Sequence, residues 1–147
     1  MKSEKYPFLI EACDEFPAFP THTHGLTEIG MPEFFIDPCA FGPAGNARLI
    51  NRAYDYFRKL RNAKKLKAIL KGETVKLTGL DLKPDTGTKD PYVYCFREVF
   101  PDFEAVKLAY PVEDSEKDLA GMRFIQIYVE GDTFALCDGY YEGGVTW

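Results

Sequence analysis

Residues 49–60 read Leu-Ile-Asn-Arg-Ala-Tyr-Asp-Tyr-Phe-Arg-Lys-Leu, the most strongly patterned segment of the chain. Apolar side chains recur in it at three- and four-residue intervals, at Leu49, Ile50, Ala53, Tyr54, Phe57 and Leu60. This spacing predicts an amphipathic helix with one apolar stripe. Gly42-Pro43 marks its start, because the fixed φ of proline and its missing N–H suit the first helical position. We expect the stripe to lie over a β-sheet.

A second helical pattern follows the first. Leu66, Ile69 and Leu70 continue at helical spacing and end at Gly72, which predicts a second short helix or a bent extension of the first. The segments before and after this region are rich in β-branched and aromatic residues and are broken by Gly and Pro. The predicted strands are residues 7–12, 19–26, 33–37, 75–82 with an irregularity at Gly79, 92–96, 105–110 and 122–130.

Strands on both sides of a helix, without regular alternation, predict an α+β fold rather than a wound parallel sheet. We expect a mainly antiparallel sheet of about five strands with one long helix packed on it. The segments 19–26 and 33–37 are separated by Gly30 and Pro32 and should form a hairpin or a neighbouring pair. The length of 147 residues predicts a single domain, residues 1–147.

Composition points to a globular protein of a reducing compartment. No run approaches the roughly 18 apolar residues that cross a bilayer, and no apolar stretch of signal-peptide length follows the N-terminal charges. We therefore expect a cytoplasmic protein that does not associate with membranes. The four cysteines, Cys13, Cys39, Cys95 and Cys137, form no Cys-x-x-Cys pair. They are expected to be reduced and mostly buried.

Charge is distributed unevenly. Residues 43–76 contain ten basic side chains and two acidic ones, a net charge of +8, so the rest of the chain carries −13 of the total of −5. The simpler interpretation is a solvated helix face against an acidic body. The alternative is a docking surface for an acidic partner on the basic helix 48–67. Nucleic acid is not expected as a partner, because the acidic chain would repel phosphate and no recognition motif accompanies the basic segment.

Two short motifs resemble a known family. Thr23-His24-Gly25-Leu26-Thr27 is followed by Gly30-Met31-Pro32-Glu33-Phe34. This pairing is similar to that of bacterial proteins of domain-of-unknown-function family 4262 (DUF4262), with the strongest likeness over residues 16–83. His24 stands where the family usually has an aliphatic residue, and Met31 where it usually has histidine. The resemblance implies a fold and a bacterial cytosolic setting, and no reaction.

One constellation could hold a ligand. His22 and His24 are two residues apart on a predicted strand and so project from the same face. Glu28 could complete a site of two histidines and one carboxylate. The spacing also resembles the first metal motif of cupins, but the chain has no third histidine and lacks the bracketing glycines. No metal and no cofactor is therefore predicted, and two structural histidines are the favoured interpretation.

Glu33 is a further ligand-binding candidate, because a charged side chain opens a strand there. It could equally accept hydrogen bonds from N–H groups of the preceding turn, and this structural role is favoured. The sequence around Cys39 has no motif of the kind that presents a catalytic nucleophile. The only serines are Ser3 and Ser115, which argues against serine catalysis as the reaction class. Gly42-Pro43-Ala44-Gly45-Asn46 lacks the Gly-Lys-Ser/Thr of a phosphate loop and is better explained as a helix start.

Two hypotheses of function follow. The first is a binding or interaction module, immunity-like or regulatory, that contacts a protein through the basic helix 48–67 or the aromatic C-terminus around Tyr140, Tyr141 and Trp147. A homodimer is compatible with it. The second is a small-molecule or metal-dependent enzyme with a site around His22, His24 and Glu28. The first is favoured, because no complete catalytic set can be assembled from the sequence.

Overall fold

The patterned segment forms a helix that covers one face of a sheet. The computed structural model describes residues 6–11, 21–36, 42–78, 93–100 and 121–130. The helices are α1 (Gly42–Phe57) and α2 (Ala63–Ile69), and two 3-10 turns span Thr27–Ile29 and Leu60–Asn62. The strands are β1 (Leu9–Glu11), β2 (Thr21–His24), β3 (Glu33–Ile36), β4 (Val75–Thr78), β5 (Val93–Val99) and β6 (Phe124–Val129). The α+β class predicted from the sequence is confirmed.

The sheet of the described residues has six strands in the order β1-β2-β3-β6-β5-β4. The expected hairpin of β2 and β3 is present and antiparallel. Four of the five pairings are antiparallel, but β3 and β6 run parallel, so the sheet is mixed. The chain between β3 and β6 passes through both helices, β4 and β5, which is ample length for the crossover that parallel pairing requires. Strand patterns do not encode direction, and the sequence therefore predicted only the simpler antiparallel sheet.

The core lies between α1 and one face of the sheet. Ile50 and Phe57 of α1 pack with Phe34 of β3, Phe96 of β5 and Ile125 of β6 in one buried cluster. The ring of Phe57 lies 5.1 Å from that of Phe96, edge to face. Alternate residues of β3 and β6 share this face because the register pairs Phe34 with Ile125 and Ile36 with Ile127. The stripe therefore joins segments that precede and follow the helix into one core.

Leu60 departs from the prediction. Its side chain is 91% exposed, whereas the other five members of the predicted stripe are buried. The helix ends at Phe57, and Lys59 is extended at the start of the next turn. The side-chain amide of Asn62 donates to the carbonyl of Tyr56 at 2.7 Å, which satisfies an acceptor near the end of the helix. Helical spacing therefore stops before Leu60, and its assignment to the buried stripe was wrong.

The second helical pattern is a separate helix, α2, and not an extension of α1. It ends close to Gly72, whose φ of +102° lies in the left-handed region that favours glycine. Arg123 links the C-terminal end of α2 to the sheet through hydrogen bonds. Its guanidinium donates to the Leu70 carbonyl at 2.8 Å and to both carboxylate oxygens of Glu98 at 2.7 and 2.9 Å. The hydrogen bond with Glu98 raises the pKa of Arg123.

Cys95 is a free, buried thiol, which agrees with the expectation for this one of the four cysteines. Burial raises its pKa, which lowers the thiolate fraction and therefore its reactivity. The other three cysteines, the predicted strand at 105–110, the irregularity at Gly79 and the aromatic C-terminus lie outside the described residues. Among the helices of the described part of the chain, none is both long and apolar enough to cross a membrane.

Candidate functional site

The two histidines lie together at one edge of the sheet. His22 and His24 project from the same face of β2, and their ring centroids are 4.7 Å apart. The β1–β2 register places Glu11 directly opposite His22 and Leu9 opposite His24. Ile10, between them, packs against the helix-side core. Because side chains alternate along a strand, Glu11 and both histidines face away from the helices.

Glu11 is the carboxylate that meets the histidines. Its Oε1 lies 2.8 Å from Nε2 of His24 and 3.5 Å from Nε2 of His22. Glu28, the carboxylate proposed from the sequence, stands in the 3-10 turn after β2 and is not part of this group. Sequence reasoning missed Glu11 because it belongs to another strand, ten residues before the β2 segment, and only the strand register brings it into place. The sequence predicted a short strand at residues 7–12 but not its partner.

Glu33 has a different environment. Its buried carboxylate accepts hydrogen bonds from the Thr23 hydroxyl at 2.6 Å, the Leu26 N–H at 3.3 Å, and both the N–H and the hydroxyl of Thr27 at 2.8 and 2.6 Å. The Thr23 hydroxyl in turn accepts from the Phe34 N–H at 3.0 Å. Glu33 thus holds the β2–β3 connection in place, and its oxygens are directed at groups of this chain.

Gly25 begins that connection with a φ of +113°, which L-residues with side chains rarely adopt. A Cβ added there would lie 3.3 Å from the carbonyl oxygen of Pro7. The segment that precedes β1 therefore packs closely against the turn that Glu33 organises. The motif around Thr23 and Glu33 has a clear structural purpose, which is to join β1, β2 and β3 at one edge.

A basic groove lies at the opposite edge of the sheet. It is a cavity of about 750 Å³ between the C-terminal half of α1, the start of α2 and β4. Its lining residues are Arg52, Asp55, Tyr56, Arg58, Lys59, Lys65, Lys76, Leu77 and Thr78. Five cationic side chains therefore face one carboxylate. We call this surface the basic groove.

The acidic groups near the basic groove are already engaged. Asp55 accepts a hydrogen bond from the Tyr6 hydroxyl at 3.1 Å and lies 3.9 Å from the Arg58 guanidinium. Glu130 pairs with Lys76, and this hydrogen bond raises the pKa of Lys76. With these two carboxylates counted, the positive charges of the described residues at the basic groove outnumber the negative ones by five to two.

Tyr56 adds an aromatic surface to the basic groove. Lys65 donates to the Tyr56 hydroxyl at 2.7 Å and lies 5.4 Å from the centre of its ring. The half-buried ring also packs at 5.0 Å on Phe57. The ring is therefore held on one side by its contact with Phe57 of the core and at its hydroxyl by Lys65. Tyr56 thus places an aromatic ring among the cationic side chains of the basic groove.

No family model, no curated protein and no solved structure matches this chain. The resemblance to family 4262 stays a prediction from the sequence.

Proposed function

We propose that this protein is a binding module whose basic groove engages an acidic segment of a partner protein. The observation that supports this function best is the groove itself. Five cationic side chains from α1, the α1–α2 connection, α2 and β4 line one cavity of about 750 Å³, a size within the range of ligand-binding clefts. A solvated helix face would spread its charges outward, whereas these side chains come from both helices, the connection between them and a strand, around one concavity.

The shape and chemistry of the basic groove favour a peptide segment over a small apolar ligand. Among the described residues that line it, most are charged or polar, and Leu77 is the one aliphatic side chain. Charge complementarity of this kind raises the association rate and favours partners whose charge is opposite in sign. The charge of −13 on the rest of the chain repels long polyanions, so duplex nucleic acid is a poorer partner than a short acidic stretch of protein. An immunity-like or regulatory role suits such a module.

The proposal predicts a charge-dependent affinity for an acidic peptide. A fluorescent Asp/Glu-rich octapeptide is titrated with the full chain, and an Asn/Gln peptide serves as the neutral comparison. The double substitution Lys59→Glu with Lys65→Glu should weaken binding about tenfold, because exposed charge pairs contribute roughly 0.2–1 kcal/mol each and reversal also adds repulsion. Fluorescence anisotropy measures the Kd.

The matched control is Lys64→Glu with Lys71→Glu. It makes the same change in net charge on the same basic segment, but neither residue lines the basic groove. We expect this variant to bind within about twofold of the parent chain, and we expect binding of the parent to fall as salt is raised. An equal loss of peptide affinity in both double variants would refute the assignment, and so would tighter binding of duplex DNA than of the peptide.

A further inference from the structure

The geometry points to a metal-ion site formed by Glu11, His22 and His24, selective for a divalent transition metal of the zinc type. It lies on β1 and β2, at the opposite edge of the sheet from the basic groove. The three ligand atoms all lie within 4.8 Å of one another. Among the described residues, these three side chains are the His, Cys, Asp or Glu residues that lie close enough together, as a set of three, to share one ion.

The distances suit a shared ion. A tetrahedral zinc ion with bonds of about 2.0–2.2 Å holds its ligand atoms roughly 3.3–3.6 Å apart. The separation of Glu11 Oε1 from Nε2 of His22, 3.5 Å, lies within that range, and the separation from Nε2 of His24, 2.8 Å, is shorter than it. Small rotations of the Glu11 carboxylate, on a half-exposed side chain, are enough to equalise them. The three ligand atoms, all within 4.8 Å of one another, are thus close enough for one ion to lie among them.

The donor set selects the kind of metal. Two imidazole nitrogens and one carboxylate oxygen suit Zn²⁺, Co²⁺, Ni²⁺ or Fe²⁺, whereas Mg²⁺ and Ca²⁺ prefer sites made of oxygen. Exposure rises in steps across the site, from 1% for His22 through 21% for His24 to 57% for Glu11. One side of the ion would thus be enclosed by the sheet and the other would face solvent. A site with three protein ligands leaves its remaining position to water or to a further ligand.

The sheet gives the site rigidity. Glu11 and His22 are directly paired across β1 and β2, and His24 follows on the same face. The β1 strand is only three residues long and forms the edge of the sheet. An ion bound across β1 and β2 would therefore hold the edge strand in its register. In the absence of an ion the same geometry accounts for the hydrogen bond between His24 and Glu11, and experiment distinguishes the two roles.

The test is a titration of tag-free, chelator-treated full chain with ZnSO₄ by isothermal calorimetry. We expect one equivalent to bind and the melting temperature to rise with zinc, because an ion that binds only the folded state stabilises it. Mg²⁺ should produce neither effect. Cobalt should give the visible absorption of a nitrogen- and oxygen-ligated site without a thiolate charge-transfer band. Less than half an equivalent of zinc, or a thiolate band, would overturn the assignment.

Variants locate the ion. Glu11→Gln keeps the shape of a half-exposed side chain and should weaken zinc binding at least tenfold, and His24→Gln should do the same. Glu28→Gln is the matched control, since it removes a carboxylate from the turn after β2 but none from the cluster. It should bind zinc as the parent does. His22 is left unchanged because it is buried and its replacement threatens folding. Parent-like affinity in Glu11→Gln and His24→Gln would refute the site.

Discussion

Glu33→Gln should lower the free energy of unfolding by about 3–5 kcal/mol, because an unsatisfied buried donor costs roughly 1–3 kcal/mol and several donors converge here. The carboxylate accepts hydrogen bonds from Thr23, Leu26 and Thr27. Glutamine offers one acceptor oxygen and directs an NH₂ group at donors. Urea denaturation followed by circular dichroism gives the difference.

Glu28→Gln serves as the control for that measurement. Glu28 is an exposed carboxylate five residues earlier on the same connection, and surface substitutions usually change stability by less than about 0.5 kcal/mol. A cost below about 1 kcal/mol for Glu33→Gln would mean that its hydrogen bonds are not maintained in solution. The structural role assigned to the Thr23–Glu33 motif would then fail.

Phe57→Ala should cost about 3–5 kcal/mol of unfolding free energy, the usual range for removing a buried aromatic side chain from a core. The ring is 2% exposed and lies between Phe34 of β3, at 6.1 Å, and Phe96 of β5, at 5.1 Å. Its removal leaves a cavity between helix and sheet that the flanking rings cannot fill. Chemical denaturation again provides the measurement.

Leu60→Ala is the matched comparison, three residues further along the same sequence pattern. Leu60 is 91% exposed, and we expect its truncation to change stability by less than about 0.5 kcal/mol. Comparable losses of stability in Phe57→Ala and Leu60→Ala would show that α1 continues past Phe57 and buries both side chains. That result would contradict the observed end of the helix.

Local patterns predicted the elements of this fold well. The start of α1 at Gly42-Pro43, the strand that begins at Glu33 and the strand around Phe124–Val129 were all readable from propensity and spacing. The predictions were wrong where tertiary structure determines the end of a helix or the direction of a strand pair. Leu60 keeps the helical interval in sequence, but the helix has already ended, and the parallel pairing of β3 with β6 depends on a crossover that no single strand reveals.

The candidate sites were predictable only in part. The spacing of His22 and His24 placed two imidazoles on one face, because strand alternation is a local rule. The third member, Glu11, enters through the β1–β2 register, which the sequence does not specify. The basic groove was anticipated as a charged helix face. Its concavity arises because Lys76, Leu77 and Thr78 of β4 line the same cavity as residues at the end of α1, a long-range arrangement with no sequence signature.

The two proposed sites can be tested separately because they lie at opposite edges of one sheet. The metal cluster belongs to β1 and β2, and the basic groove is lined by residues of α1, the α1–α2 connection, α2 and β4. Glu11→Gln should therefore leave the affinity for an acidic peptide unchanged, and the Lys59→Glu, Lys65→Glu variant should still bind zinc. Distant sites without shared partners usually behave independently.

The most direct measurement for the proposed function is a ¹⁵N–¹H NMR titration of the full chain with the acidic octapeptide. The largest amide shift changes should fall within residues 52–65 and 76–78, around the basic groove, and residues 9–11 and 21–24 should change little. Largest changes at β1 and β2, or no changes at a peptide concentration far above that of the protein, would contradict the assignment of this groove as the binding surface.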